Sequence, residues 1–241
     1  DLHPDYASTR LAEGLGRPLT RVQHHEAHAL SVWAERAGGE PALAIVWDGS
    51  GWGPDGTIWG GEAFVLSRPE LRRCARLRPF RLPGGVQAIR EPRRAAFGLL
   101  HALGGQELLE ALAPRLSCLS SFSAAERALL ARALERDLNA PWTSSVGRLF
   151  DAVAALLDLC QRSSYEAEAA LALELCAQEP SLGSYPLPLV DLGDGEPLQL
   201  DWAPLIRELL ADLEAGTERG LVAARFHRGL AGGIVQLARW A

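Results

Sequence analysis

Methionine is missing altogether from this 241-residue chain, and cysteine is scarce: Cys74, Cys118, Cys160 and Cys176 lie far apart, with no CxxC pair. That spacing excludes a zinc ribbon or a disulfide framework and leaves buried free thiols as the expectation. No apolar run approaches the roughly 18 residues that a membrane span needs. The opening stretch DLHPDYASTR lacks the basic and apolar regions of a signal peptide, so a cytoplasmic protein with no membrane partner is expected. The arginines are scattered and the formal net charge is −6, which argues against a nucleic-acid surface. Low-complexity runs and internal repeats are absent as well. With 48% apolar and 22% charged residues, the composition is that of a folded chain able to bury one sizeable core, whole or split into two lobes. A start without methionine predicts a piece of a longer protein.

What the chain does have is histidine in one place. Three of its six histidines fall in QHHEAHAL, residues 23–30. The following ALSVWAERAG has small and apolar spacing and runs into Gly38-Gly39, which predicts a helix with the histidines in its first turn and a glycine stop. On a helix His24 and His28 are about 40° apart around the axis and can converge on one ion, while His25 and Glu26 point elsewhere. The pattern is not the HExxH of metalloproteases, because His25 stands where that motif has its general base. A third ligand is expected from Asp48, at the tip of the apolar run ALAIVW. Two histidines and a carboxylate suit iron as well as zinc. The plainer alternative is a set of ordinary hydrogen-bonded histidines.

Around this cluster the reading is mixed α/β. ALAIVW, the glycine-rich DGSGWGPDGTIWGGE and AFVLSR predict a hairpin turning at PDGT. Gly49 and Gly51 in its loop let backbone approach a ligand closely, or simply make a tolerant turn. Residues 92–178 read as mainly helical, interrupted by APRLSCLSSFS and LNAPWTSSVG. Thr143, Ser144 and Ser145 before Gly147 predict a capped helix whose N-H groups can hold a phosphate or ribose. Residues 185–202 read as a short hairpin around Gly193 to Gly195. Two helices follow, the last with a stripe of Val222, Phe226, Leu230 and Ile234. The chain thus divides into a metal-binding α/β part (1–91), a mainly helical part (92–180) and a hairpin with helices (181–241).

Taken together, DLHPDYASTR, VQHHEAHA, WDGSGWGPDGTIWGGE, LPGGVQAIREPRR, TSSVGRLFDAVAALLDL and SYEAEAALALE resemble, in this order and over nearly the whole chain, the carboxy-terminal part of the hydrogenase maturation carbamoyltransferase family, HypF. The resemblance implies an α/β, two-lobed, Kae1-like domain of the actin and sugar-kinase fold, here incomplete at both ends and with a large helical portion. It implies transfer of a carbamoyl group from carbamoyl adenylate, made from carbamoyl phosphate and ATP by upstream domains, to the carboxy-terminal cysteine of a HypE-like partner. That product leads to the cyanide ligands of nickel-iron hydrogenase. The family's metal ligands fall on His24, His28 and Asp48, and a divalent metal, iron or zinc, is implied.

For the adenine nucleotide, the resemblance brings in Gly84, Gly85, Asp151 and Glu166 beside Gly49, Gly51 and Gly147, with Asp151 and Glu166 on ribose hydroxyls. His25 is the expected acceptor of the thiol proton. Val86, Ala167 and Ala172 depart from the family pattern, Ala167 standing in place of a glycine. A fourth family ligand, an aspartate, falls beyond Ala241, so this chain alone is expected to bind metal and nucleotide poorly and to be inactive. Two other readings share parts of the pattern. One is a related O-carbamoyltransferase or tRNA threonylcarbamoyl-transfer enzyme; the other is a non-catalytic, metal-stabilised docking module.

Overall fold

The computed structural model describes residues 2–3, 5–36, 41–67, 70–178 and 183–241. A short helix, α1 (Ala7–Gly14), precedes α2 (His24–Glu35). Helix α2 starts as expected: Gln23 is extended and its side-chain oxygen accepts from Glu26 N, filling one of the orphan donors of the first turn. It ends at Glu35, and Gly38-Gly39 lie outside the described residues.

Strands β1 (Ala42–Trp52) and β2 (Ile58–Ser67) form the expected antiparallel hairpin, Ala42 opposite Leu66 and Trp52 opposite Ile58. The turn is held by Gly53 N donating to Thr57 O and by Asp55, and Gly56 takes φ +76°, as PDGT predicts. One expectation is corrected here. Asp48 is not at a strand tip: β1 continues to Trp52, and Asp48 lies in a register break between Trp47 and Gly51. Such an irregularity re-aims side chains and frees backbone groups from the ladder.

Next come β3 (Glu70–Leu77), β4 (Phe80–Arg81), α3 (Val86–Arg90) and α4 (Pro92–Leu112), the last broken at Gly104 and Gly105. Then follow α5 (Ser117–Ser120), α6 (Ala124–Glu135) with a Ser123/Glu126 capping box, β5 (Trp142–Thr143), α7 (Val146–Leu156) and α8 (Glu168–Cys176). The chain closes with β6 (Leu189–Val190), β7 (Leu198–Leu200), α9 (Ala203–Glu214) and α10 (Arg219–Trp240). The sheet order is β4-β5-β2-β3-β7-β6, with β1 on the other edge of β2. Strand β2 forks: Ile58 pairs in parallel with Thr143 of β5, while Glu62 to Ser67 pair with β3.

The main core lies where α4 and α7 pack together, with Phe97, Leu99, Leu100, Leu149, Ala152 and Val153 fully buried. Each such Leu or Phe contributes about 1.5–3 kcal/mol. A smaller cluster of Ala29, Trp59, Phe64 and Leu66 sits under α2 and fixes that helix on the hairpin. In α10 the expected stripe holds for Val222, Phe226 and Leu230, but Ile234 is 38% exposed. Steps of four residues overshoot the 3.6-residue turn by about 40° each, so the fourth member rotates out of the core, and Gly233 and Leu237 take its place.

Between α3 and α4, Glu91 is 5% exposed. Burial opposes its charge, but hydrogen bonds from Gln87, Arg94 and Arg93 outweigh that cost and hold its carboxyl at about 2. A folded pKa below the unfolded value stabilises the protein above about pH 4.5, and this is lost as pH falls towards 2; the difference is on the order of 3 kcal/mol. Glu91→Gln should therefore lower the urea midpoint strongly at pH 7, with the gap to the native chain narrowing below pH 4.5. A gap of constant size down to pH 3.5 counts against this account.

Ala167, just before α8, is in the left-handed region at φ 63°. A side chain there costs about 1–2 kcal/mol, against about 0.5–1 kcal/mol of extra chain entropy for glycine. Ala167→Gly is expected to stabilise the protein by up to about 1 kcal/mol, read as a higher urea midpoint at unchanged slope; a lower midpoint contradicts it.

Candidate functional site

The first turn of α2 lies against the register break of β1. His24 Nε2 is 2.9 Å from Asp48 Oδ2, and His28 Nε2 is 3.2 Å from His24 Nε2. One ligand atom from each of the three residues lies within 4.8 Å of the other two. Donors about 2.0–2.2 Å from a shared ion stand roughly 3 Å from one another, so the donor set fits a divalent cation in spacing and in chemistry. Asp48 Oδ1 takes Gly49 N at 2.6 Å, which leaves Oδ2 for the histidine side.

His25 is not one of the three clustered donors; it points inward. Its ring is 0% exposed. The Gln23 amide has a determined orientation, since its oxygen must accept from Glu26 N; its nitrogen then donates to His25 Nδ1 at 3.0 Å and to Trp52 O at 3.2 Å. The imidazole therefore carries its proton on Nε2. That nitrogen is buried with no hydrogen-bond partner among the described residues and faces Asp48 Oδ2 at 3.8 Å. Burial pushes its pKa down to about 4, ahead of the raising effect of Asp48. The expected role of His25 as acceptor of a thiol proton is thus corrected: one nitrogen is occupied, the other is protonated, and the ring is enclosed.

Glycines make these contacts possible. A Cβ on Gly51 would lie 2.5 Å from His25 Cε1 and 3.0 Å from His24 Cδ2, and one on Gly147 would lie 2.7 Å from the Gly49 Cα. Helix α7 consequently abuts the Asp48–Gly49 backbone. Its cap, Ser145, accepts from Arg148 N at 3.1 Å, and its hydroxyl lies 2.8 Å from Asp48 O and 2.7 Å from Gly49 O, each an acceptor for its one proton.

Of the residues singled out for the nucleotide, Gly49, Gly51 and Gly147 are therefore brought to the Asp48 segment. Gly84 and Gly85 are not: at φ +95° and +54° they form a turn held against Asn139, and their N-H groups already donate to Asn139 O and Leu82 O. Asp151 is enclosed beside Arg148, where burial raises its carboxyl to about 6 despite the nearby guanidinium, so it has no open path to a ribose hydroxyl in this arrangement. Glu166 is exposed before α8. Cys74, Cys118 and Cys160 are buried and Cys176 half-buried; burial pushes the Cys118 thiol up to about 12. Sequence reasoning overlooked Gln23 and Arg148. The second left a signal, an Arg and an Asp three positions apart inside the apolar VGRLFDAVAAL.

Residues 44–241 match the family profile described as Carbamoyltransferase, Kae1-like Domain, second subdomain, and residues 1–35 match that of the HypF Kae1-like domain. The chain belongs to the HypF carbamoyltransferase family. It is 38% identical over 252 residues to carbamoyltransferase HypF of Synechocystis sp., covering 99% of this chain and 32% of that protein. With carbamoyltransferase HypF of Rhodobacter capsulatus it shares 42% over 248 residues, covering 99% of this chain and 31% of that one. The chain thus spans about a third of the length of these relatives. A crystal structure of full-length HypF in its phosphate- and nucleotide-bound form superposes with a TM-score of 0.89 at 30% identity, over 99% of this chain and 36% of that one. The fold is accordingly the mixed α/β, Kae1-like fold. Among the described residues no helix is long and apolar enough to cross a membrane.

Proposed function

We propose that this chain carries the carbamoyl-transfer site of a HypF carbamoyltransferase, and that the site passes a carbamoyl group from carbamoyl adenylate to the carboxy-terminal cysteine thiol of a HypE-like partner. The convergence of His24, His28 and Asp48 in a member of this family carries the reading. In the transfer a bond forms between the thiol sulfur and the carbamoyl carbon. The bond from that carbon to the phosphate oxygen breaks, the oxygen keeps the electron pair as adenylate, and the thiol proton passes to solvent. A divalent cation held by His24, His28 and Asp48, iron or zinc by donor type, supplies polarisation of the carbonyl or phosphate oxygen and offsets developing charge.

The chain's own residues set the geometry. Gln23 locks the His25 tautomer, and the Nε2-H of His25 faces Asp48 Oδ2 at 3.8 Å, on the side that Asp48 turns to the histidines. Ser145 ties the backbone of Asp48 and Gly49 to α7. The buried thiols of Cys74, Cys118 and Cys160 suit a mechanism whose nucleophile comes from a partner.

In the whole parent protein, His28→Ala should abolish carbamoylation of a cysteine-ended acceptor while carbamoyl-phosphate-dependent adenylate formation continues. Equal loss of both activities in a folded variant would refute the assignment.

A further inference from the structure

The chain carries 30 acidic residues against 24 basic ones, so a cavity whose only charged lining is arginine stands out. Arg76 and Gln199 sit side by side in the register of β3 and β7 and alternate with the core residues Leu77 and Leu200, which puts them on the opposite face of the sheet. There a cavity of about 500 Å³ is lined by Arg73, Arg76, Arg78, Trp142 and Gln199, and by no carboxylate. Trp142 is 43% exposed, with the Arg81 guanidinium 4.5 Å from its ring. Arginine beside an exposed tryptophan is the composition that protein interfaces favour.

The three guanidiniums are not equally engaged. Arg73 is committed to Glu62 and Asp55 and lies over Trp59. Arg76 gives one nitrogen to Glu196 at 3.3 Å, and Arg78 gives one to Asp201 at 3.0 Å. Arg76 Nε is buried with no hydrogen-bond partner among the described residues. A guanidinium has five N-H donors, so both arginines keep donors for a further acceptor. The Glu196 carboxylate is exposed, and such a pair is weak enough to give way to a competing carboxylate.

Spacing points to the kind of acceptor. Arg76 and Arg78 are two positions apart, about 6.6 Å along extended chain, and Arg73 lengthens the row to about 16 Å. A single small anion reaches one or two members of such a row. An extended peptide with acidic side chains at alternate positions presents its carboxylates on one side at the same repeat. The groove also lies within a peptide's reach of the histidine cluster. From His24, steps of 5.3 Å to His25, 6.2 Å to Trp59 and 3.8 Å to the Arg73 guanidinium limit the separation to about 15 Å, which about five extended residues span. The β1–β2 hairpin joins the two places, with Gly51 against His24 and His25 and Thr57 in the groove wall.

We propose that this groove binds an extended acidic segment of the acceptor protein, about five residues before its terminal cysteine, through Arg76, Arg78 and Trp142; this rests on the transfer reading above. The groove holds the acceptor's tail while its cysteine reaches the histidines. It selects the acceptor and takes no part in making or breaking bonds.

The test uses the whole parent protein and two ten-residue peptides that end in cysteine and carry a fluorophore at the other end. One has glutamate five and seven residues before the cysteine, and the other has glutamine there. The glutamate peptide is expected to bind at least about tenfold more tightly at about 50 mM salt, with the preference shrinking as salt is raised. In Arg76→Gln/Arg78→Gln the two peptides should bind alike. With the glutamate peptide as carbamoyl acceptor, that variant should show a KM raised by about the same factor at unchanged kcat, a split that general loss of structure does not give. Equal affinity of the native protein for the two peptides overturns the proposal, and so does a preference that survives in the double variant. Should the variant fail to fold, a photoreactive group beside the first glutamate is expected to label Trp142 or residues 73–79 of the native protein, and labelling only elsewhere overturns the proposal as well. Binding involves no transfer, so equal peptide affinities leave the transfer reading standing. A parent protein that prefers the glutamate peptide but never carbamoylates it sinks the transfer reading and leaves the acidic-peptide groove in place.

Discussion

In the whole parent protein, replacing His24 by alanine is expected to abolish divalent-metal binding at the site proposed above. His24 is the middle donor of the three, 2.9 Å from Asp48 Oδ2 and 3.2 Å from His28 Nε2, so its loss removes one ligand atom and separates the other two. Two remaining protein donors on a surface partly open to water hold zinc or iron weakly. After dialysis of the parent protein against limiting metal, stoichiometry at this site is expected to fall from about one to below about 0.1, and the visible absorption of the cobalt-substituted site should disappear. His25→Ala is expected to behave differently. The ring is not one of the three donors and meets the site from behind, through Asp48 and edge-on to His24, so affinity should drop by about 10- to 100-fold and full stoichiometry should return at higher metal concentration. Metal binding by His24→Ala at native affinity would place the ion elsewhere.

A second large effect is expected from adding one methyl group. Gly98, in the buried part of α4, is where that helix presses on β4: a Cβ there would lie 1.9 Å from Arg81 O and 3.0 Å from Pro83 Cδ. Neither neighbour is the free end of a flexible side chain, so α4 must move off the sheet. The gain of about 1 kcal/mol in helix propensity is small against an overpacking cost of about 1–3 kcal/mol or more in a close-packed core. Gly98→Ala should lower stability by about 2 kcal/mol or more, a drop in Tm of about 4–8 °C for a chain of this length. The control is Gly232→Ala in α10, where no atom lies within 4 Å of the added carbon, and a rise of up to about 1 kcal/mol is expected. Equal melting temperatures for native and Gly98→Ala proteins would show that α4 yields at no cost.

The hairpin from Ala42 to Ser67 and the helix carrying the histidines are legible because their signals are local. PDGT sets the backbone angles of one turn, and a four-residue spacing puts His24 and His28 on one face whatever lies around them. Strand β3 is hidden by its composition. ELRRCARL reads as polar, yet Arg73 pairs with the fully buried Glu62 and stacks over Trp59, so its charge is spent inside the sheet. Ile234 shows the limit of a periodic reading, because a four-residue rule drifts off a 3.6-residue helix.

At the site the division has the same cause. Local spacing determined that two imidazoles share a face, and the apolar run before Asp48 determined that a strand carries a carboxylate, though within β1 and not at its tip. What surrounds them was decided only by elements distant in sequence. Asp48 is aimed by a register break that depends on β2, α7 reaches it because Gly147 lacks a side chain, and Gly51 leaves room for the histidines of α2. The inward turn of His25, with its proton on Nε2, depends on Gln23 and on how α2 settles over Trp59, Phe64 and Leu66. Arg148 lies 100 residues beyond Asp48, and a guanidinium acquires a place beside a loop only when the packing of α7 on β1 brings it there. Periodicity is a property of a few neighbouring bonds, whereas direction, burial and protonation belong to contacts between segments that the chain order keeps apart.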